Sequence, residues 1–444
     1  MCYYMNSLPA SVNYGEPIPS LPENAIRYSV ALQPVNGSEF LPTSNIQFQY
    51  PNRGYLIPDS VYLRYKLQVV NTLTTGGLPV GIPGTPFFTP FQRLETQFGS
   101  VTVDSINNYH QVCNVLTNTT MDWAQKYGNA FNYGYSPAIA STTAATTEEM
   151  DGYLIAANGA ATTTNLSLAG PLPCLLTNIT DKLLPLFAMP TISQILTIDN
   201  VSNIVYNAGA AGAFITTYKI TNCELCFDFV ELGSEVDAMV RGMGPKLFLK
   251  SQSFSNAAVT VPATSNGSMS FIFNQRYASV KGALVLFSGS NITQDVNAGN
   301  GLFDARDITS NSGSISINIS GVSYPQKPYS MVNNKAAMLI ELRKVMGSIY
   351  DKNNSLSINS REFSCIDATA TTVNAPGKFY VGFNLQKLHS NALLTGISTN
   401  NSNITVQLES STAVGALNRQ CNLILAYDAL IEIDVASKQS SVKC

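Results

Sequence analysis

Residues 61–69, Val-Tyr-Leu-Arg-Tyr-Lys-Leu-Gln-Val, alternate without a break. Val61, Leu63, Tyr65, Leu67 and Val69 fall on one side, Arg64, Lys66 and Gln68 on the other, because successive side chains of an extended chain point to opposite faces. The pattern predicts a strand with one face in a core, as in antiparallel sandwiches. Further strands are expected over 269–273, 281–287, 314–319, 379–383 and 404–408. Residues 76–90 are dense in Gly and Pro and read as a loop. Two segments break the β period. Ile106, Tyr109, Val112, Cys113 and Leu116 have helical spacing, predicting a helix within 105–126 with Ser105 as its N-cap. Met338, Leu339, Leu342, Val345, Met346 and Ile349 predict a second, over 333–349.

One closing pattern occurs at two places, which predicts a chain built twice over. Leu225, Phe227 and Phe229 share their parity with Leu423, Leu425, Tyr427 and Ala429, and Phe227-Asp228 matches Tyr427-Asp428. One predicted helix falls near the middle of each half. The helices are about 230 residues apart and the closing strands about 200, so the first half carries about 30 extra residues after its helix. Residues 136–170 supply them: nearly all Ala, Thr, Ser, Asn and Gly, they have little to bury and are expected to form a surface excursion, able to hold short strands of its own but not a third domain. The expected organisation is an extended arm over 1–25, a β domain over 26–233, a linker over 234–244, a second β domain over 245–436 and a tail over 437–444. The arm is extended because Pro9, Pro17, Pro19 and Pro22 exclude a helix or a central strand. Its tyrosines Tyr3, Tyr4 and Tyr14 favour docking on a neighbour.

Length agrees, since 444 residues exceed one ordinary core and two domains are the natural division. The hydrophobic share, 45%, is ample for cores, whereas only 12% of residues are charged, about half the usual roughly 25%. Two readings stay open: surface buried against other chains, since charge is depleted at interface cores, or a compositional bias toward Asn and Ile. Net charge is −3, and the 25 Lys and Arg form no run of four. A basic arm that condenses nucleic acid is therefore not expected. Neither is a secretory signal, nor a transmembrane helix, since no apolar stretch reaches the required length.

Candidate chemistry is sparse. Cys223 and Cys226 form a C-x-x-C, but residues three apart on a strand face opposite ways, and no second pair completes a zinc site. His110 and His389 stand in no metal-ligand spacing, and no nucleophile elbow or phosphate loop occurs. Arg241-Gly-Met-Gly-Pro245 reads as a turn between domains. The carboxylate pairs Asp228/Glu231, Asp428/Glu432 and Glu148/Glu149 are candidates for sugar hydrolysis, but the single Trp, Trp123, falls in a predicted helix and leaves no stacking platform. The N-x-S/T sequons include Asn118, Asn318 and Asn403 within or beside predicted regular elements, which fits chance better than glycosylation. The expectation is no catalytic residue, no cofactor, no metal and no enzyme. A two-domain glycan-binding adhesin or spike is the alternative binding function.

Taken together, the paired closing strands (220–232 and 422–435), the acidic-hydrophobic connector 235–241, Ser323-Tyr-Pro-Gln-Lys-Pro-Tyr329 running into a helix, and Leu183-Leu-Pro-Leu-Phe-Ala-Met-Pro190 leading to 195–198, echoed by 392–397 leading to 404–408, resemble double jelly-roll major capsid proteins, above all those of virophages and polinton-like viruses. The likeness spans about residues 26–436 and is weakest over 136–170. It implies an all-β fold of two tandem eight-stranded jelly rolls, each with a short helix in a loop. It further implies homotrimeric, pseudo-hexagonal capsomers tiling an icosahedral shell around double-stranded DNA, with penton and minor capsid proteins as partners, and a virion location. Residues 1–25 would run along the inner face and 136–170 would face outward. Tyr3, Tyr4, Tyr14 and Cys444 are the candidate assembly contacts.

Overall fold

A computed structural model describes residues 25–71, 80–135, 152–155, 162–180, 182–204, 206–207, 215–289, 302–349, 356–358, 360–364, 377–388, 394–414 and 418–444. Tyr3, Tyr4, Tyr14, His389, Glu148 and Glu149 lie outside these residues.

Among the described residues each half holds eight principal strands. In the first they are Ile26–Leu32, Asn45–Gln49, Tyr62–Asn71, Phe91–Phe98, Val101–Asn107, Thr162–Pro171, Ile192–Ile198 and Ile215–Glu231. In the second they are Lys246–Val261, Gly267–Phe273, Val280–Gly289, Gly313–Ile319, Val322–Ser330, Tyr380–Asn384, Ile404–Ser410 and Arg419–Asp434. Counted in chain order within each half, one sheet runs 1-8-3-6 and the facing sheet 2-7-4-5, all antiparallel, and the order is the same in both halves. This is the jelly-roll order, so the fold is a double jelly roll. Each half also inserts a helix between its fifth and sixth strands, Tyr109–Thr120 in the first and Lys335–Ile349 in the second. The duplication read from the closing strands extends to every principal strand.

The alternation over 61–69 explains the third strand of the first roll. Leu63, Leu67 and Val69 are fully buried, with Val61 and Tyr65 nearly so, while Arg64 is exposed and ion-pairs with Glu224 across the ladder. Each such aliphatic side chain contributes roughly 1.5–3 kcal/mol by leaving water. The closing strand carries a bulge between Thr221 and Glu224, where Asn222 has φ +50°. The extra residue shifts parity, so that Tyr218 and Ile220 before it and Cys223, Leu225, Phe227 and Phe229 after it all point into one core. Cys226 lies on the other face, opposite Tyr62. The two thiols therefore diverge, as their spacing predicts.

Four expectations are corrected. Ser105 is no N-cap: it lies in the strand Val101–Asn107, paired with Glu95, and the helix starts at Tyr109 after Asn108. The apolar spacing at Ile106 belongs to a hairpin strand that runs straight into the helix. The end of the polar segment 136–170 is not surface excursion, since Thr162–Pro171 pairs along its whole length with Tyr62–Asn71. Leu166 and Leu168 supply its apolar side, a signal too short to stand out among Thr and Ser. The linker over 234–244 is a helix over Ser234–Gly242, which leaves only 243–245 for the turn expected at 241–245. The tail is a strand, Gln439–Lys443, paired with Leu430–Asp434 beyond the end of the neighbouring strand.

Candidate functional site: the seam between the two jelly rolls

The most constructed polar region of the described residues is the contact between the rolls. The strand Lys246–Val261 is an edge of the second roll's sheet, and an open edge invites foreign strands. A loop of the first roll covers it: Thr180 N donates to Lys250 O at 3.1 Å, and Asn178 Nδ2 to Gln252 O at 3.0 Å. Beside this loop lies Asp104, 3% exposed, in the last strand before the first helix. Its carboxylate accepts from Ser253 Oγ at 2.8 and 2.9 Å and from Tyr427 Oη at 3.1 Å, both in the second roll, and from Leu175 N at 3.1 Å in its own. Burial pushes the Asp104 carboxyl up to about 6, and these hydrogen bonds hold back only part of that rise.

The helix Tyr109–Thr120 supplies the rest of the seam. Eleven of its twelve residues are buried, and its polar side chains find partners in the second roll. Gln111 donates to Leu302 O and accepts from Asn256 Nδ2; Asn118 donates to Tyr380 Oη at 3.3 Å; Ser357 N donates to Thr119 O at 3.0 Å. His110 packs edge-on against Phe303 at 5.5 Å. Buried polar groups of this kind impose one relative placement, because any sliding leaves desolvated donors and acceptors unpaired. A half-open cavity of about 390 Å³ lies along the same seam, lined in part by Asn178, Gln252, Phe254 and Lys281. Lys281 Nζ donates to Gln252 Oε1 at 2.9 Å and stands 3.9 Å from the buried Asp428, whose other cation is Lys250 at 3.7 Å.

The residues singled out for chemistry are engaged in structure. His110 Nε2 lies 3.0 Å from Asp199 Oδ2, and both are buried. Burial raises the Asp199 carboxyl, but hydrogen bonds from His110, Asn203 and the Asn200 amide outweigh it and hold Asp199 below its ordinary value. His110 Nδ1 is buried and has no hydrogen-bond partner among the described residues. Asp228 is tied to Arg27 and Ser29, Glu231 to Arg53, and Glu432 to Lys246 and Lys443. Asp428 is tied to Ser279 and to the Thr395 amide. No group of three His, Cys, Asp or Glu side chains among the described residues is arranged to hold a metal. Cys113, Cys174, Cys223, Cys226, Cys421 and Cys444 are free thiols. Cys444 is half-buried against the core, and burial together with Asp104 raises its thiol to about 11. Among the described helices none is long and apolar enough to cross a membrane.

The seam was not foreseen from the sequence. Its one signal is Asp104, a lone carboxylate at the centre of the strand Val-Thr-Val-Asp-Ser-Ile-Asn.

No family model matches the chain, and no curated protein matches its sequence. Solved structures do match its fold. The Faustovirus major capsid protein aligns with a TM-score of 0.63 at 10% identity, covering 95% of this chain and 92% of that one. A chain of the Sputnik virophage structure aligns at 0.56 and 12% identity, covering 98% and 92%. The mavirus major capsid protein aligns at 0.52 and 12% identity, covering 100% and 94%. The chain thus shares the double jelly-roll fold of these proteins over nearly its whole given length.

Proposed function

We propose that this protein is the major shell subunit of an icosahedral DNA virus, acting by assembly and not by catalysis. One observation carries the reading: two jelly rolls of identical strand order are locked side by side by a buried polar seam. A subunit with two near-equivalent rolls presents two similar corners, so three copies make a pseudo-hexagon that can tile a flat facet. The fold shared with the Faustovirus and mavirus capsid proteins supports this reading. So does the low charge of the chain, 12%, which suits a surface largely buried between copies.

In this account the partners are two further copies in the trimer, neighbouring trimers, and penton and minor capsid proteins at the vertices and beneath the facets. The location is the virion shell, around double-stranded DNA that the protein contains without a dedicated binding motif. The tyrosines Tyr3, Tyr4 and Tyr14 reach toward neighbouring trimers. Deleting residues 1–20 should leave trimers intact in light scattering while shells no longer form in electron micrographs. Dissociation of the trimers themselves would overturn this placement of the arm, and sugar binding by the intact chain without self-assembly would overturn the reading as a whole.

A further inference from the structure

The two closing strands carry the same polar feature, covered in one roll and open in the other. Asp228 stands opposite Ser29 in the ladder as Asp428 stands opposite Gln252. Each aspartate has a cation two residues back on the facing strand, Arg27 and Lys250, and a serine partner just before the third strand, Ser60 and Ser279. In the second roll the side chains of Asp428 and Lys250 are 0% and 19% exposed; in the first, those of Asp228 and Arg27 are 19% and 63% exposed.

The difference is the cover. Residues 172–180 of the first roll lie along the second roll's edge, where Thr180 and Asn178 donate to Lys250 O and Gln252 O. The matching groups on the first roll's edge are Arg27 O and Ser29 O. Asp228 turns its N–H to Ser60 and its C=O to Ile57, away from the first strand, so Ser29 opposite it, and Arg27 two residues back, turn theirs outward. No described residue donates to those two carbonyls. An uncovered edge is a template for another chain, and Arg27 is the one charged residue of Ile26–Leu32.

The cover also has a counterpart. Residues 172–180 follow the sixth strand of the first roll, and Leu172, Leu175 and Leu176 there are fully buried. The sixth strand of the second roll, Tyr380–Asn384, leads into Leu385-Gln-Lys-Leu388, and the described chain resumes at Leu394. Leu388 and Leu394 are 61% and 45% exposed. Lys387 beside them is exposed and has no ion pair among the described residues. Asp428 is shared by two lysines, whereas Asp228 has Arg27 alone, so a further cation suits it. Each roll thus has a head, the loop after its sixth strand, and a tail, the edge of its first strand. Within one chain the first head sits on the second tail, which leaves the second head and the first tail open among the described residues. Two different surfaces that fit head to tail join copies by repetition, and a rotation that closes makes a ring.

We infer that the edge Ile26–Leu32 of one copy is covered by the second roll of another, with Leu388 and Leu394 over the strand and Lys387 beside Asp228. The contact between copies then repeats the seam within each copy. It rests on the self-assembly proposed above and names the surfaces that meet.

Amide hydrogen exchange of residues 26–32, read by mass spectrometry alongside molar mass from light scattering, tests this on the full chain and on the full chain carrying Leu388→Asp and Leu394→Asp. Exchange in the buried strand Val280–Gly289 reports any loss of folding; should the aspartates disturb it, Leu388→Ser with Leu394→Ser replaces them. The full chain should assemble and protect Ile26–Leu32. The double variant should run at the mass of one chain and exchange there about tenfold faster, with Val280–Gly289 unchanged. A variant that assembles and protects the edge like the parent chain would overturn the inference and leave the shell reading standing; edge-to-edge pairing of two first strands gives this result. A variant that falls to single chains with no faster exchange at the edge would overturn it too, since another surface then meets the second roll. Protection lost on deleting residues 1–24, with assembly intact, would assign the cover to the chain's own arm and overturn it likewise. A full chain that never assembles would overturn both the inference and the shell reading.

Discussion

Replacing Asp104 by Asn should change the pH dependence of stability more than the stability itself at any single pH. The carboxyl moves from its ordinary 3.8 to about 6 on folding, which corresponds to about 3 kcal/mol. A carboxyl raised on folding binds its proton more tightly in the folded state. The contribution is therefore greatest below about pH 4 and declines as pH rises through about 6. Asp104→Asn removes this titration and nothing else that titrates. The difference in unfolding free energy, wild type minus variant, should fall by about 2.4 kcal/mol of that total between about pH 4 and pH 7. Urea unfolding at several pH values, followed by fluorescence, reads it. A difference that stays flat, or that rises with pH, would refute the picture of a desolvated carboxylate at the seam. Asp104→Ala serves as companion. It strands the Ser253 and Tyr427 hydroxyls and the Leu175 amide, at about 1–3 kcal/mol for each that stays dry, and should loosen the seam in hydrogen exchange at all pH values.

Asp428→Ala should cost about 3–5 kcal/mol, because it leaves Lys250 and Lys281 crowded together without their buried carboxylate; a denaturation midpoint matching wild type would contradict this. Gly396→Ala should destabilise the second roll by about 1–3 kcal/mol, since a methyl group there would lie 2.4 Å from the Val280 carbonyl; thermal melting checks it. Cys444, with its thiol raised to about 11 from an ordinary 9.0, should alkylate about 100-fold more slowly at pH 8 in the folded chain than in the unfolded one. Mass spectrometry after iodoacetamide treatment measures the ratio. Rapid labelling of the folded chain would restore Cys444 as an accessible crosslinking contact.

What was legible in the sequence was what local period encodes. The strand at Tyr62–Asn71 and the matched closing strands could be read because each carries a continuous apolar face, although the second closing strand is buried on its other face as well. Both helices could be read from their apolar stripes, although the first start was misplaced because Ile106 ends a strand and falls in helical phase with Tyr109 by coincidence. Elements whose pattern depends on distant partners stayed hidden. Thr162–Pro171 is a strand because Tyr62–Asn71 pairs with it, not because Thr, Asn and Ser favour one. Gln439–Lys443 is a strand because the second closing strand extends past its neighbour and leaves an edge to fill. The seam is the extreme case. Asp104, Ser253 and Tyr427 are far apart in sequence and meet only once both rolls are formed, so no local motif announces them.

The central claim is that two locked, near-equivalent rolls let three chains imitate six. Negative-stain imaging of the purified protein, with its mass measured by light scattering, tests it most directly. The account predicts particles of three times 47.8 kDa with a hexagonal outline and six peripheral lobes. A stable monomer at micromolar concentration, or a trimer with three lobes and no pseudo-sixfold outline, would contradict it.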